Sequence, residues 1–154
     1  MTEDKRKPLK EIYMENAINW SKRATCHRKS VGGILVLEGR TIMSGFCGAP
    51  SGLPHCTDEG VGCLIQVRDG RESCMRTLHC EPAMISFAAK EGIAVDGSEL
   101  YITLSPCYEC AKLLINSGIK AVYYLEGYSG ADGIKILEEA GIHCEQIDLN
   151  QTKE

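Results

Sequence analysis

Apolar positions recur along the chain with two alternating periods, and their order outlines a fold. Between Leu9 and about Arg23, Ile12, Tyr13, Ala17 and Trp20 return at helical spacing, which predicts an amphipathic helix. "VGGILVL" (Val31 to Leu37) and "TIMSGF" (Thr41 to Phe46) are short β-rich runs on either side of "EGR", the pattern of a hairpin. From Cys47 to Leu78 no period is sustained; Gly, Pro, Cys and charge dominate, and so long an irregular stretch in a compact domain is usually functional or mobile. Regularity returns with a helix over about Cys80 to Glu91, a strand "ELYITL", a helix from Cys107 to Ser117 and a strand "KAVYYLE". A helix from Ala131 to Ala140 and a strand "HCEQIDL" close the chain.

Strands that alternate with helices pair in parallel, so the C-terminal half is expected to be parallel and the first hairpin antiparallel. The expected fold class is α/β, a three-layer αβα sandwich with a mixed five-stranded sheet. No repeat or low-complexity linker interrupts it, and residues 1–154 read as one domain.

Composition narrows the setting. The apolar fraction of 44% and charged fraction of 25% are those of an ordinary globular domain, and no apolar run nears the ~20 residues of a membrane span. The opening "MTEDKRKPLKEIYMENAINW" lacks the apolar core of a signal peptide, so the expected location is cytoplasmic. Net charge is −4, and no basic stripe carries interleaved aromatics, which argues against a nucleic-acid partner. "DKRK" and "KRATCHRK" are the basic clusters, read as solvated helix ends; Arg28 and Lys29 of the second, or Arg76, are positioned in sequence to meet a single phosphate. Nine cysteines in a reducing compartment point to metal ligation or catalysis rather than to a disulfide framework, and an odd number cannot all pair.

The candidate chemistry lies in "SPCYEC" and "HCEPAM". Ser105 is placed to cap a helix with Pro106 at its first position, which puts Cys107 and Cys110 on the first turn with both sulfurs facing one way. A helix N-terminus favours thiolate. His79, at the start of the preceding helix, adds a third donor. Three protein ligands leave one position for water, as catalytic zinc does, and Glu81 is then a candidate general base. Two other readings stay open: a thioredoxin-like redox pair at Cys107 and Cys110, or a closed structural site that recruits Cys80 or another cysteine.

The pattern H-x-E followed by P-C-x-x-C is that of zinc deaminases acting on bases. With "WSKRATCHRKSVGGILV", "GFCGAPSGLPHC", "CMRTLHCE", "ELYITLSPCYECAKLLINSGIKAVYY" and the later "GY", the chain resembles the deoxycytidylate (dCMP) deaminase branch of the cytidine deaminase-like enzymes over about residues 10–145. The resemblance implies zinc on His79, Cys107 and Cys110, Glu81 as proton shuttle, and hydrolysis of a cytosine-type nucleotide, dCMP to dUMP first. It also implies substrate contacts from the Cys80 N–H, the Ser105 carbonyl, the loop containing Cys47 and Gly48, and Tyr128, with assembly into a homo-oligomer. Some relatives carry a second, structural zinc, for which Cys26, Cys56, Cys63 and Cys74 are the candidates and His55 or Cys47 substitutes. Cys144 reads as a packing residue, His143 as a surface residue and His27 as a polar loop residue.

Two departures bear on substrate. Family members usually have asparagine where this chain has Cys47, and again where it has Ala83. Deamination of another amino-substituted base, guanine or a modified pyrimidine, or a zinc-stabilised binding module without activity, are the alternatives. Riboflavin-pathway deaminases, with a longer gap between their cysteines, and tRNA adenosine deaminases, with a more basic surface, fit less well.

Overall fold

A computed structural model describes residues 3–68, 70–128 and 132–149. Helix α1 (Leu9–Ser21) leads into strands β1 (Gly32–Leu37) and β2 (Arg40–Phe46), then β3 (Ile65–Arg68) and β4 (Arg71–Cys74). Helix α2 (Cys80–Glu91), strand β5 (Glu99–Leu104), helix α3 (Tyr108–Asn116), strand β6 (Ala121–Glu126), helix α4 (Asp132–Glu139) and strand β7 (His143–Gln146) follow. The main sheet runs β2-β1-β5-β6-β7. β1 is antiparallel to both neighbours, whereas β5, β6 and β7 are parallel. The mixed five-stranded sheet is the one expected.

Alternation along the central strands divides the core in two, because successive side chains leave a strand on opposite faces. Leu35, Leu100, Ile102 and Val122 join Met84, Ala88, Ala111, Leu114 and Leu137 of α2, α3 and α4. Ile34, Val36, Tyr101 and Tyr123 join Met14 and Ala17 of α1. One helix therefore covers one face and three cover the other.

Glycines let the helices sit close to the sheet. A Cβ on Gly32 would stand 2.2 Å from the Ser21 amide nitrogen and 2.3 Å from the Ala17 carbonyl oxygen, both backbone atoms of α1. On the other face a Cβ on Gly45 would come within 2.6 Å of Met84 Cγ.

Four local expectations are corrected. The stretch from Cys47 to Leu78 is not wholly irregular: β3 and β4 form a separate antiparallel ribbon, with Arg68 paired to Arg71. Arg40, assigned to the first turn, belongs to β2. Ser105 does not cap α3; Cys107 is the N-cap residue, extended at φ −70°, ψ 170°, and Tyr108 begins the helix. The last strand ends at Gln146 rather than Leu149. The expected start of the final helix at Ala131 lies outside the described residues.

Replacing Gly32 by Ala forces α1 off β1, since backbone atoms cannot yield as a flexible side chain can. The Gly32→Ala protein is expected to lose about 2–3 kcal/mol of stability, read as a lower urea midpoint; an unchanged midpoint would contradict the close packing of α1.

Candidate metal centre and cavity

Strand ends bring the candidate residues to one edge of the sheet. In open α/β sheets, ligands bind beyond the carboxyl ends of the parallel strands. Here β5 delivers Ser105 and β6 delivers Tyr128 at that edge, and antiparallel β1 and β2 bring Val31 and Cys47 to it. Two links fix the edge. The Ser105 amide donates to the Glu126 carbonyl at 2.8 Å, and the Tyr128 amide to Ser105 Oγ at 2.6 Å. Reciprocal backbone hydrogen bonds join Gly48 and Leu78, at 3.2 and 2.7 Å, so the loop after β2 is clipped to the residue before His79.

α2 and α3 start beside one another, with His79 and Cys107 as their N-cap residues. His79 Nδ1 lies 3.7 Å from Cys107 Sγ and 3.5 Å from Cys110 Sγ. Two ligands of one tetrahedral zinc, with bonds of about 2.1 and 2.3 Å, stand about 3.6 Å apart, so the three donors fit a single ion. A Cβ on Gly133 would stand 2.0 Å from the Pro106 carbonyl oxygen, so α4 abuts the segment that presents Cys107. Among the described residues this group has three donors. Cys80 does not complete it: the Cys80 side chain is 1% exposed and packs beside Gly33 in the core.

The donors polarise one another. The Cys110 hydrogen bond, with burial opposing and His79 assisting, lowers the Cys107 thiol to about 4. The Cys107 sulfur and burial push the Cys110 thiol far up. The Cys107 hydrogen bond also raises His79, against burial and with Glu81 assisting; the Lys29 charge opposes. Glu81 is 4% exposed, and burial raises its carboxyl above the usual range while Cys110 and His79 pull it down. A buried carboxyl that holds its proton more tightly than an exposed one is suited to taking a proton and giving it back.

An open cavity of about 690 Å³, counting its mouth, runs over these groups and is lined by His79, Cys80, Glu81, Ser105, Cys107 and Tyr128. Its few convergent polar groups suit a small molecule. Cys80 is the first residue of α2, where the helix supplies no partner for the amide, and Ser105 lies in the wall. Cys47 also lines the cavity, but its thiol is committed to the main chain: Sγ accepts from the Val31 amide and donates to the Lys29 carbonyl, both at 3.3 Å. Gly48 and Arg76 are absent from the lining; Arg76 Nε donates to the Gly62 carbonyl at 3.1 Å. Ala83, like Gly48, does not line it.

A second donor group forms beside the cavity. The Cys26, Cys56, Cys63 and Cys74 sulfurs all lie within 4.8 Å of one another, with Cys56 and Cys74 at 3.6 Å. The sulfurs of a tetrahedral zinc thiolate stand about 3.8 Å apart, so this group too fits one ion. Burial pushes the Cys56 thiol up to about 12; against the same effect, hydrogen bonds from Thr77 and the Leu64 and Arg76 amides bring Cys74 down to about 6. His55 and Cys47 take no part. His55 Nδ1 faces Thr25 Oγ1 at 2.8 Å. His27 Nε2 donates to the Cys56 carbonyl at 2.9 Å, His143 is largely exposed, and Cys144 packs half-buried against the core.

Cavity residues not singled out from the sequence are Val31, Glu72, Ser73, Thr77 and Leu104. Glu72 and Ser73 arrive on β4, whose signal was present in "VRDGRE", an Asp-Gly pair between short runs. No helix among the described residues is long and apolar enough to cross a membrane.

Comparisons with known proteins identify the family. The chain is 40% identical over 142 residues to ComE operon protein 2 of Bacillus subtilis (strain 168), spanning 92% of this chain and 72% of that protein. Deoxycytidylate deaminase of Enterobacteria phage T4 is 30% identical over 158 aligned positions, covering 79% of this chain and 81% of the phage protein. The crystal structure of dCMP deaminase from the cyanophage S-TIM5 in complex with dCMP and dUMP superposes with a TM-score of 0.77 at 36% identity, over 92% of this chain and 99% of that one. A family model, the cytidine and deoxycytidylate deaminase zinc-binding region, matches residues 7–126. With the two helix starts, the convergent donors and the buried glutamate in place, the chain belongs to the cytidine and deoxycytidylate deaminase family.

Proposed function

We propose that this chain deaminates dCMP hydrolytically, giving dUMP and ammonia, with zinc held by His79, Cys107 and Cys110 and with Glu81 carrying the proton. The observation that carries the reading is the convergence of those three donor atoms beside a cavity that His79, Cys107 and the buried Glu81 line. The likeness to phage deoxycytidylate deaminases supports dCMP over other bases.

Zinc at this position would lower the pKa of a bound water toward ~7 and supply the hydroxide nucleophile. Glu81 Oε would carry the water's two protons in turn, the first to the ring nitrogen and the second, left on the added hydroxyl, to the amine, which departs as ammonia. The Cys80 N–H receives the ring carbonyl and the Ser105 carbonyl accepts from the amino group; these contacts orient the base so that the amine faces Glu81. Burial of Glu81 serves the exchange by removing competing water from its carboxyl.

The four-thiol group fits a structural zinc that ties β3 and β4 to the segment after α1 and makes two ions per chain. Exposed Leu64, Ile65, Val67 and Met75 on and beside that ribbon support homo-oligomer assembly, which light scattering would measure.

The zinc-loaded protein is expected to release ammonia from dCMP in a panel with cytosine, cytidine, CMP, dCTP, adenine and guanine. The Glu81→Gln variant should lose more than about 100-fold in kcat while it retains its metal. Turnover of another compound with none for dCMP would sink the substrate reading, and full activity in Glu81→Gln would sink the proton role.

Native mass spectrometry is expected to find two zinc ions per chain. Cys56→Ser should release one of them and lower the melting temperature by several degrees, since a metal bound only by the folded state adds its binding free energy to stability. A single ion in the unaltered chain would remove the structural site.

A further inference from the structure

Three cations were candidates for a phosphate contact, and the structure separates them. Arg76 is bound to the Gly62 carbonyl and lies off the cavity lining. Arg28 lines the cavity, but its Nη1 is 3.2 Å from Glu72 Oε2 and its Nη2 faces the Glu72 carbonyl oxygen at 3.5 Å. Lys29 lines the same cavity and makes no ion pair among the described residues; its Nζ lies 3.8 Å from the centroid of the Tyr128 ring. Such a contact at an exposed site is weak, so it can be exchanged for a stronger partner.

The backbone of Lys29 is held while its side chain is not. The Cys26 sulfur accepts from the Arg28 and Lys29 amides, and the Cys47 thiol donates to the Lys29 carbonyl. The main chain at this point is therefore tethered to two separate parts of the fold, and the ammonium group projects from a fixed base.

We propose that Lys29 is the specificity residue for the substrate phosphate: its ammonium leaves the Tyr128 ring to pair with the 5′-phosphate of a nucleoside monophosphate, and Glu72 at the same mouth opposes further phosphates. The inference rests on the nucleotide deaminase reading. Arg28 is engaged by Glu72, so among the described residues Lys29 is the lysine or arginine of the cavity lining that carries no ion pair. A monophosphate meets that charge at close range, which favours a charge-assisted hydrogen bond. A triphosphate brings additional negative charge against a carboxylate that Arg28 holds in place, and discrimination against a wrong ligand by repulsion follows.

Calorimetry with dUMP, deoxyuridine and dUTP on the zinc-loaded full chain separates the terms, beside ammonia release from dCMP. Lys29→Gln is expected to weaken dUMP about 30-fold and deoxyuridine less than about twofold, with Lys29→Arg recovering most of the loss. Glu72→Gln is expected to raise affinity for dUTP relative to dUMP about threefold or more. Equal weakening of dUMP and deoxyuridine in Lys29→Gln, or no weakening of dUMP, would overturn the assignment, as would a wild-type chain that does not bind dUMP. An unchanged dUTP to dUMP ratio in Glu72→Gln would overturn the part given to Glu72. Wild-type protein that releases no ammonia from dCMP contradicts the deaminase reading by itself, and the calorimetric ratio still decides Lys29.

Discussion

Two helix N-termini facing one point are the constraint on which the site depends. Each carries roughly half a positive charge and unpaired amide hydrogens, so their juxtaposition is unfavourable unless negative groups sit between them. Cys107 at the start of α3, whose thiol the Cys110 hydrogen bond and His79 lower, is such a group, and Glu81 adds a carboxyl in the first turn of α2. The arrangement that suits the candidate donors to a metal also makes the packing of α2 against α3 tolerable. Chemistry and architecture share one set of charges.

Register is then maintained from several distant places. Hydrogen bonds between the ends of β5 and β6 fix Ser105, and the Gly48 to Leu78 pairing fixes the approach to His79. α4, late in the chain, abuts Pro106 through Gly133, where no side chain could fit. On the far side of the sheet, the close seat of α1 on Gly32 holds the strand whose preceding residue, Val31, lines the cavity. Small residues at these crossings are therefore part of how a few donor atoms are held near one another.

The periodic elements were legible because each buries one face or both, and burial imposes period on a sequence. β1, with five of its six residues buried, could be read from "VGGILVL", and the candidate donors Cys107 and Cys110 from a spacing that one helix turn enforces. β3 and β4 were not, since Ile65 is 44% exposed and Val67 70% exposed, so their apolar residues do not mark a core. The four-cysteine group was visible only as a set of candidates, because its members meet through the path of a long loop and not through a local repeat. The resemblance placed the loop with Cys47 at the substrate; Cys47 does line the cavity, and its thiol satisfies the main chain at Lys29 and Val31, since side-chain identity alone does not say which way a sulfur points. Ser105 was read as a cap by its place before proline, but in the fold its hydroxyl serves the backbone of Tyr128.

The pairing of Gly48 with Leu78 divides the loop after β2 into two parts with different evolutionary latitude. Residues 50–54 form its exposed rim and can change in length or composition while the clip absorbs the change. The base has no such freedom, because a shift there drags Leu78 and, with it, His79. Diversification of this loop among descendants of the chain should accumulate as outward growth, leaving the anchored base as a fossil of the original geometry.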